Sequence, residues 1–261
     1  MDIFEEIVRL RKVNQAFAVA TIVESKGSTP RSSAKMLVRS DLSIEGTIGG
    51  GPLEMAVIRE AGEAIIKGAD RLLKYDLNSR VPGALTMLCG GLLSVFIEVQ
   101  TEKPLMLLVG AGHVGKALAR LASRLGYHLV VADDREGFAS KETLPEVSEF
   151  YINTDIGEAV RKAPITENTY VALFTQDVDD IALKAVLERD AAYVGMIGSS
   201  RKSKMIKDQL RALGVSEEKL AKVRCPIGLD LGAETPDEIA VSIIAEIMAF
   251  RTGTSAKSLS V

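Results

Sequence analysis

Gly110-Ala111-Gly112-His113-Val114-Gly115 follows an apolar run and opens a stretch of helical periodicity, and Asp133 closes the next apolar run. In that context G-x-G-x-x-G has the spacing of a dinucleotide fingerprint. Its glycines let the chain turn tightly and let a pyrophosphate approach a helix N-terminus, while the acid accepts from a ribose hydroxyl. Arg135, directly beyond Asp134, would instead favour a phosphorylated ligand. The same glycines would also serve for close packing of helix on strand, so the occupancy of this crevice stays open. His113 fills a variable position of the motif, more often a loop side chain than a catalyst. A second glycine loop, Gly46-Thr47-Ile48-Gly49-Gly50-Gly51, feeds a helix through Pro52, with Glu54 in its first turn. Consecutive glycines carry a large conformational entropy. They suit close backbone approach to a ligand, or a tight turn with Glu54 complementing the helix dipole.

Met87-Leu88-Cys89-Gly90-Gly91 presents a thiol beside two glycines, sterically open as a nucleophile or soft-metal ligand requires. A free cysteine is also a common small buried hydrophobe, and that reading applies more strongly to Cys225. Gly198-Ser199-Ser200-Arg201-Lys202 offers hydroxyls, a helix start and two cations to an anion, or an N-cap followed by a solvated basic face. Thr175 to Asp180 could face the same crevice, and a polar turn capping the next helix explains it equally well. No carboxylate dyad, Ser-His-Asp set or H-E-x-x-H is discernible, and Cys89, Cys225, His113 and His128 lack structural-zinc spacing.

The elements that must position these residues change character near Thr101-Glu102-Lys103-Pro104. Before it, helices and strands mix: a helix over about 2–13 carrying Ile3, Phe4, Ile7 and Val8, strands at Phe17 to Val23, Met36 to Arg39 and Ser94 to Val99, a turn at Asp41, and a helix from Pro52 with Leu53, Ala56, Val57, Ala61 and Ile65 on one face. After it, strands at Leu105 to Val109, Tyr127 to Ala132, Thr169 to Thr175 and Tyr193 to Ile197 alternate with helices, which implies a parallel sheet covered on both faces. Thr235, Pro236 and Glu238 mark the start of a last helix that runs to about Phe250. The expected organisation is a domain over 1–102, a second over 103–251 and a frayed tail over 252–261.

The 261 residues are 47% apolar and 26% charged, a globular composition. The 32 basic against 35 acidic residues, net charge −3, lack the positive surplus of a nucleic-acid binder. Apolar runs fall short of the roughly 20 residues that span a bilayer, and the N-terminus has no basic n-region. A cytoplasmic protein without nucleic-acid or membrane partners is expected, and a homodimer is the default oligomer.

Gly27-Ser28-Thr29-Pro30-Arg31, Lys35-Met36-Leu37-Val38, Gly46 to Gly51 with Glu54, Met87 to Gly91, Gly110 to Gly115, Asp133-Asp134-Arg135, Gly195 to Ser199 and Cys225-Pro226-Ile227-Gly228-Leu229 form an ordered set over about residues 17–250. That set resembles the XdhC/CoxI family, the xanthine dehydrogenase accessory proteins. It departs from the family's pattern at Ser32-Ser33-Ala34, where a glycine is expected before the alanine, and after Thr175, where a histidine is expected. The resemblance implies an α/β protein with an N-terminal mixed α/β XdhC/CoxI domain and a C-terminal Rossmann-like parallel-sheet domain. It implies a chaperone, not an enzyme, that binds molybdenum cofactor (molybdopterin), supports its sulfuration by a cysteine desulfurase and inserts it into a molybdenum hydroxylase apoenzyme. On this reading Arg31, Gly49, Gly50, Gly51, Glu54, Cys89, Gly90, Gly91, Gly110, Gly112, His113, Gly115, Asp133, Arg135 and Ser199 are candidate cofactor-binding residues, with Cys89 in contact with molybdenum. The alternatives are an NAD(P)-dependent oxidoreductase resting on Gly110, Gly112, Gly115 and Asp133, and a non-catalytic partner-binding module whose Rossmann half is scaffold.

Overall fold

The computed structural model describes residues 2–27, 29, 31–77 and 91–260, and the chain divides into two compact units, Met1–Glu102 and Lys103–Val261. In the N-terminal unit α1 (Ile3–Lys12) starts at a capping box in which Asp2 and Glu5 exchange side-chain and backbone hydrogen bonds. Leu10 is buried against Phe17 and Leu37, with Ile3 and Ile7 alongside, whereas Phe4 and Val8, expected on the same stripe, face solvent. The stripe is narrower than its composition suggested because only one flank of the helix meets the sheet.

That sheet contains β1 (Phe17–Gly27), β2 (Lys35–Arg39), β3 (Ile44–Gly46), β4 (Arg71–Asp76) and β5 (Gly91–Gln100), all antiparallel, in the order β3-β2-β1-β5-β4. The β2–β3 turn is where Asp41 placed it: the Asp41 carboxylate accepts from the Ser43 amide at 2.9 Å. The helix α2 (Gly51–Lys67) lies on one face, burying Leu53, Val57 and Ala61 against Ala18, Ala20, Val38, Val95 and Ile97. It stops at Gly68, whose φ of 62° is the left-handed conformation of a glycine C-cap.

The C-terminal unit contains β6 (Leu105–Val109), α3 (His113–Arg124), β7 (His128–Asp133), β8 (Glu149–Ile152), α4 (Ile156–Lys162), β9 (Thr169–Leu173), α5 (Asp179–Leu187), β10 (Tyr193–Met196), α6 (Ser200–Ala212), α7 (Glu217–Ala221), β11 (Val223–Arg224) and α8 (Pro236–Thr252). Its strands are parallel in the order β11-β10-β9-β6-β7-β8, so the chain leaves β6 in one direction and returns to its other side with β9. That reversal is the switch point of a Rossmann-type sheet, where the carboxyl ends of strands open a crevice. Alternate residues of β6 feed opposite cores: Leu107 and Val109 join one with α4, α5 and α6, and Met106 and Leu108 join the other with α3 and α8. The capping box of Thr235 and Glu238 starts α8 as its sequence indicated.

Gly115 has a packing reason of its own, since a Cβ there would lie 2.3 Å from the Gly110 carbonyl oxygen. Backbone cannot yield as a flexible side chain does. Gly115→Ala is therefore expected to destabilise the C-terminal unit by about 1–3 kcal/mol, read as a lower urea midpoint. Gly112→Ala, with φ −68° and nothing within 4 Å of the added carbon, is expected to stay within about 1 kcal/mol of the wild type. Equal losses at the two positions would refute the packing argument.

Candidate functional site

The N-terminal unit gathers its glycine motifs by topology. β1 ends and β5 begins at one end of the sheet, where Gly27 stands opposite Gly91, and β2 begins and β3 ends towards that same end. The β1–β2 connection with exposed Arg31, the Gly46 to Gly51 loop and the start of β5 at Gly91 therefore share it. In the connection Thr29 Oγ1 lies 2.6 Å from Ser25 Oγ and donates to the Arg31 carbonyl at 3.2 Å. Cys89 and Gly90, with the molybdenum contact assigned to Cys89, lie outside the described residues.

The loop after β3 is built around Glu54. Gly49, Gly50 and Gly51 have φ of 127°, 76° and 66°, and Gly50 pairs its φ with a ψ of −176°, a region essentially confined to glycine. The resulting turn aims its amides inward. Glu54 Oε2 accepts from the Ile48 amide at 3.1 Å, the Gly50 amide at 3.2 Å and the Thr47 hydroxyl, and Thr47 Oγ1 in turn accepts from the Gly49 amide at 3.1 Å. Burial works to raise the Glu54 pKa, but these donors outweigh it and the carboxyl sits below its usual range. An internal carboxylate thus fills the anion nest, so an incoming phosphate at this helix end would meet a negative charge. Glu54 does more than complement the dipole from the first turn.

The crevice of the C-terminal unit has the opposite character. Gly110, with φ 98°, turns the chain beside the Phe174 and Thr175 backbone, where a Cβ would meet Phe174 C at 3.1 Å. α3 starts at Gly112 with no side-chain cap and no acid in its first turn. His113 is exposed there. Lys116 lies in the same first turns, a position the dipole disfavours for a cation, with its ammonium 4.9 Å from the centre of the Phe138 ring. The Arg135 guanidinium lies 3.8 Å over the same ring.

Asp133 is already engaged within its own crevice. Its side chain has no exposed surface, and its two oxygens accept from the Ala111 amide at 2.6 Å, the Arg135 amide at 2.9 Å and the Arg135 guanidinium at 2.9 and 2.8 Å. Burial would raise its pKa, and the Arg135 guanidinium with the two amides brings it net below the ordinary value. A carboxylate so committed has no site left for a ribose hydroxyl unless Arg135 swings away. Sequence spacing finds the acid but not its partner, because a pairing two residues apart across a strand end leaves no periodic trace.

Ser199 caps α6, accepting from the Lys202 amide at 3.2 Å. Lys202 pairs at 2.8 Å with buried Asp179, which also accepts from the Thr175 hydroxyl at 3.0 Å. Cys225 lies beside this group, half-buried, and burial pushes its thiol pKa up. That shift suppresses the thiolate and argues against Cys225 as a nucleophile or soft ligand. The structure thus joins Gly110, Gly112, Gly115, Asp133 and Arg135 in one crevice, with Ser199 two strands along at the same carboxyl end of the sheet. Among the described residues no group of three or more His, Cys, Asp or Glu side chains is set to hold a metal ion, and no helix is long and apolar enough to cross a membrane.

Strand order and glycine crevice define a Rossmann-type domain preceded by a mixed α/β unit. The chain matches the family model described as the XdhC Rossmann domain over residues 106–247 and the one described as the XdhC and CoxI family over residues 10–76. It belongs to the XdhC and CoxI family. It is 41% identical over 248 residues, 95% of this chain and 46% of the relative, to the uncharacterized protein YqeB of Escherichia coli K12. A probable xanthine dehydrogenase subunit of Bacillus subtilis is 26% identical over 60% of this chain and 46% of its own length. The molybdenum cofactor insertion chaperone PaoD of Escherichia coli K12 is 25% identical over 89% of this chain and 83% of its own. The chain spans about half the length of the first two relatives. A solved structure described as a xanthine dehydrogenase from Bacillus halodurans shares the fold, with a TM-score of 0.53 at 21% identity over 99% of this chain and 98% of that one.

Because the folded pKa of Glu54 is depressed, its stabilising effect is complete above its ordinary value of 4.5 and is lost as pH falls towards the folded value. Glu54→Gln is expected to flatten this part of the acid dependence while keeping the fold. Urea midpoints taken through the acid range for both proteins test it. Parallel curves would show that Glu54 is not held ionised by the loop.

Proposed function

We propose that this chain is an accessory protein that binds molybdenum cofactor, keeps it during sulfuration and inserts it into a xanthine dehydrogenase-type molybdenum hydroxylase. The reading is supported by family membership and by relatives whose names include a molybdenum cofactor insertion chaperone and a probable component of xanthine dehydrogenase. The observation that carries it within this chain is the convergence of Arg31, the Gly46 to Gly51 loop and Gly91 on one end of the N-terminal sheet. Handling and transfer of cargo require no turnover chemistry of the chain's own. On this proposal the protein works in the cytoplasm as a homodimer, with a cysteine desulfurase and the hydroxylase apoenzyme as its partners.

Molybdopterin is a phosphorylated pterin whose dithiolene holds the metal. A phosphate suits the uncapped start of α3, beside Lys116, and that crevice would take a nucleotide or other phosphorylated ligand of its own. It does not suit the α2 start, whose nest Glu54 fills. The N-terminal loops would instead take the pterin of the cargo, the open glycines and Arg31 meeting its polar edge and Cys89 the metal or its sulfur. An oxidoreductase using NAD is disfavoured by the Asp133–Arg135 pairing, although a ligand bearing an extra phosphate would engage the same arginine.

The test is retention. The protein is incubated anaerobically with released cofactor and desalted, and the bound pterin is oxidised to its fluorescent form, with NAD and NADP run in parallel. Near-stoichiometric pterin is expected, with a clear reduction in Cys89→Ala. Absent pterin together with tight, saturable nicotinamide binding would overturn the proposal, and unchanged retention and transfer in Cys89→Ala would remove Cys89 from the site.

A further inference from the structure

At the amino end of the C-terminal sheet, opposite the glycine crevice, a cavity of about 260 Å³ opens beside Tyr193, the first residue of β10. Its aromatic wall is Tyr193 and Phe250, whose rings meet edge to face at 5.3 Å. The Arg224 guanidinium lies 5.1 Å from the Phe250 ring centre and 5.7 Å from that of Tyr193. Lys219, Lys222 and Arg189 complete a cationic rim, against which the lining sets one acid, Asp190.

The wall is held from behind. Glu246, with a side chain 12% exposed, accepts from the Tyr193 hydroxyl at 2.9 Å and from Arg224 at 3.0 Å, and also from the Gly228 amide. It fixes ring and guanidinium together, the support a preorganised site needs. Lys219 donates to the Leu187 carbonyl at the end of α5, which neutralises a carbonyl that would otherwise repel an anion. Lys222 is held by little: its ion pair with Glu218 spans 3.5 Å between side chains 58% and 83% exposed.

We infer that this cavity is a second ligand site, selective for a small planar aromatic anion, an aryl phosphate or aryl carboxylate. The rings and the small side chains of Ala191, Ala192 and Ala221 take the flat body, and Arg224 and Lys222 take the charge. A volume just under the usual range of about 300–1,000 Å³ for ligand pockets admits a single ring system and excludes a dinucleotide. The site lies at the other end of the strands from the glycine crevice, so it stands or falls independently of the proposed function.

Phenyl phosphate is the probe, with phenol and benzylamine as neutral and cationic counterparts, measured by equilibrium dialysis against the full chain. Saturable binding of phenyl phosphate is expected, well above that of phenol and benzylamine. Arg224→Gln and Lys222→Glu should each weaken it by about tenfold, the loss of one charge-assisted hydrogen bond. Lys222→Glu alters an exposed side chain, so its result holds even if Arg224→Gln unfolds the wall. No saturable binding to the wild type, equal binding of phenol, or affinity unchanged in Lys222→Glu would each overturn the inference.

Discussion

The Asp133 carboxylate sits at the carboxyl end of β7 with no exposed surface, and a charge so placed is tolerable only because donors surround it. The Ala111 amide ties it to the turn after β6, which fixes the start of α3 relative to the sheet. Arg135 closes the other side and is itself laid flat on Phe138. Removing the guanidinium would leave the charge with two backbone donors in a buried setting. The geometry of the crevice follows from this arrangement.

The two glycine loops illustrate how similar sequences reach opposite electrostatics. Both turn a strand into a helix, and both depend on positive φ. The loop after β3 brings its own anion, since Glu54 lies in the helix it feeds and folds back onto the Ile48 and Gly50 amides. The loop after β6 has its acid one strand away, and that acid faces the turn and Arg135 instead of the helix axis. A phosphate-bearing ligand therefore meets repulsion at one loop and attraction at the other.

Long, strongly patterned elements were legible. The β-branched run from Phe17, the apolar runs at Leu105 and Thr169, and the capping box at Thr235 all appear where composition and spacing placed them, apart from a few residues at their ends. β3, β4, β8, β11, α4 and α7 were not foreseen. β3 and β11 are only three and two residues long. β4, Arg71-Leu72-Leu73-Lys74-Tyr75-Asp76, is an edge strand whose exposure alternates while its residue types do not follow, Leu72 facing solvent beside half-buried Arg71. At the site, glycine spacing identified both turns, while the carboxylate networks within them depend on backbone direction and stayed hidden. Phe138 and Lys116 carried no motif, and only their approach to one ring reveals a shared role.

Tyr127, Tyr170 and Tyr193 form a row across the amino ends of the parallel strands, with ring centres 6.0 and 6.5 Å apart. The chain has no tryptophan and five tyrosines, of which Tyr75 alone belongs to the N-terminal unit. Four of the five emitters lie in the Rossmann half, so intrinsic ultraviolet emission reports mainly on it. Burial raises the ionisation of Tyr127 and Tyr193 above the ordinary phenol value, and that of Tyr75 likewise, so phenolate absorbance in alkali should lag until these rings are released. The protein thus carries, without any label, an optical probe weighted four to one towards a single unit.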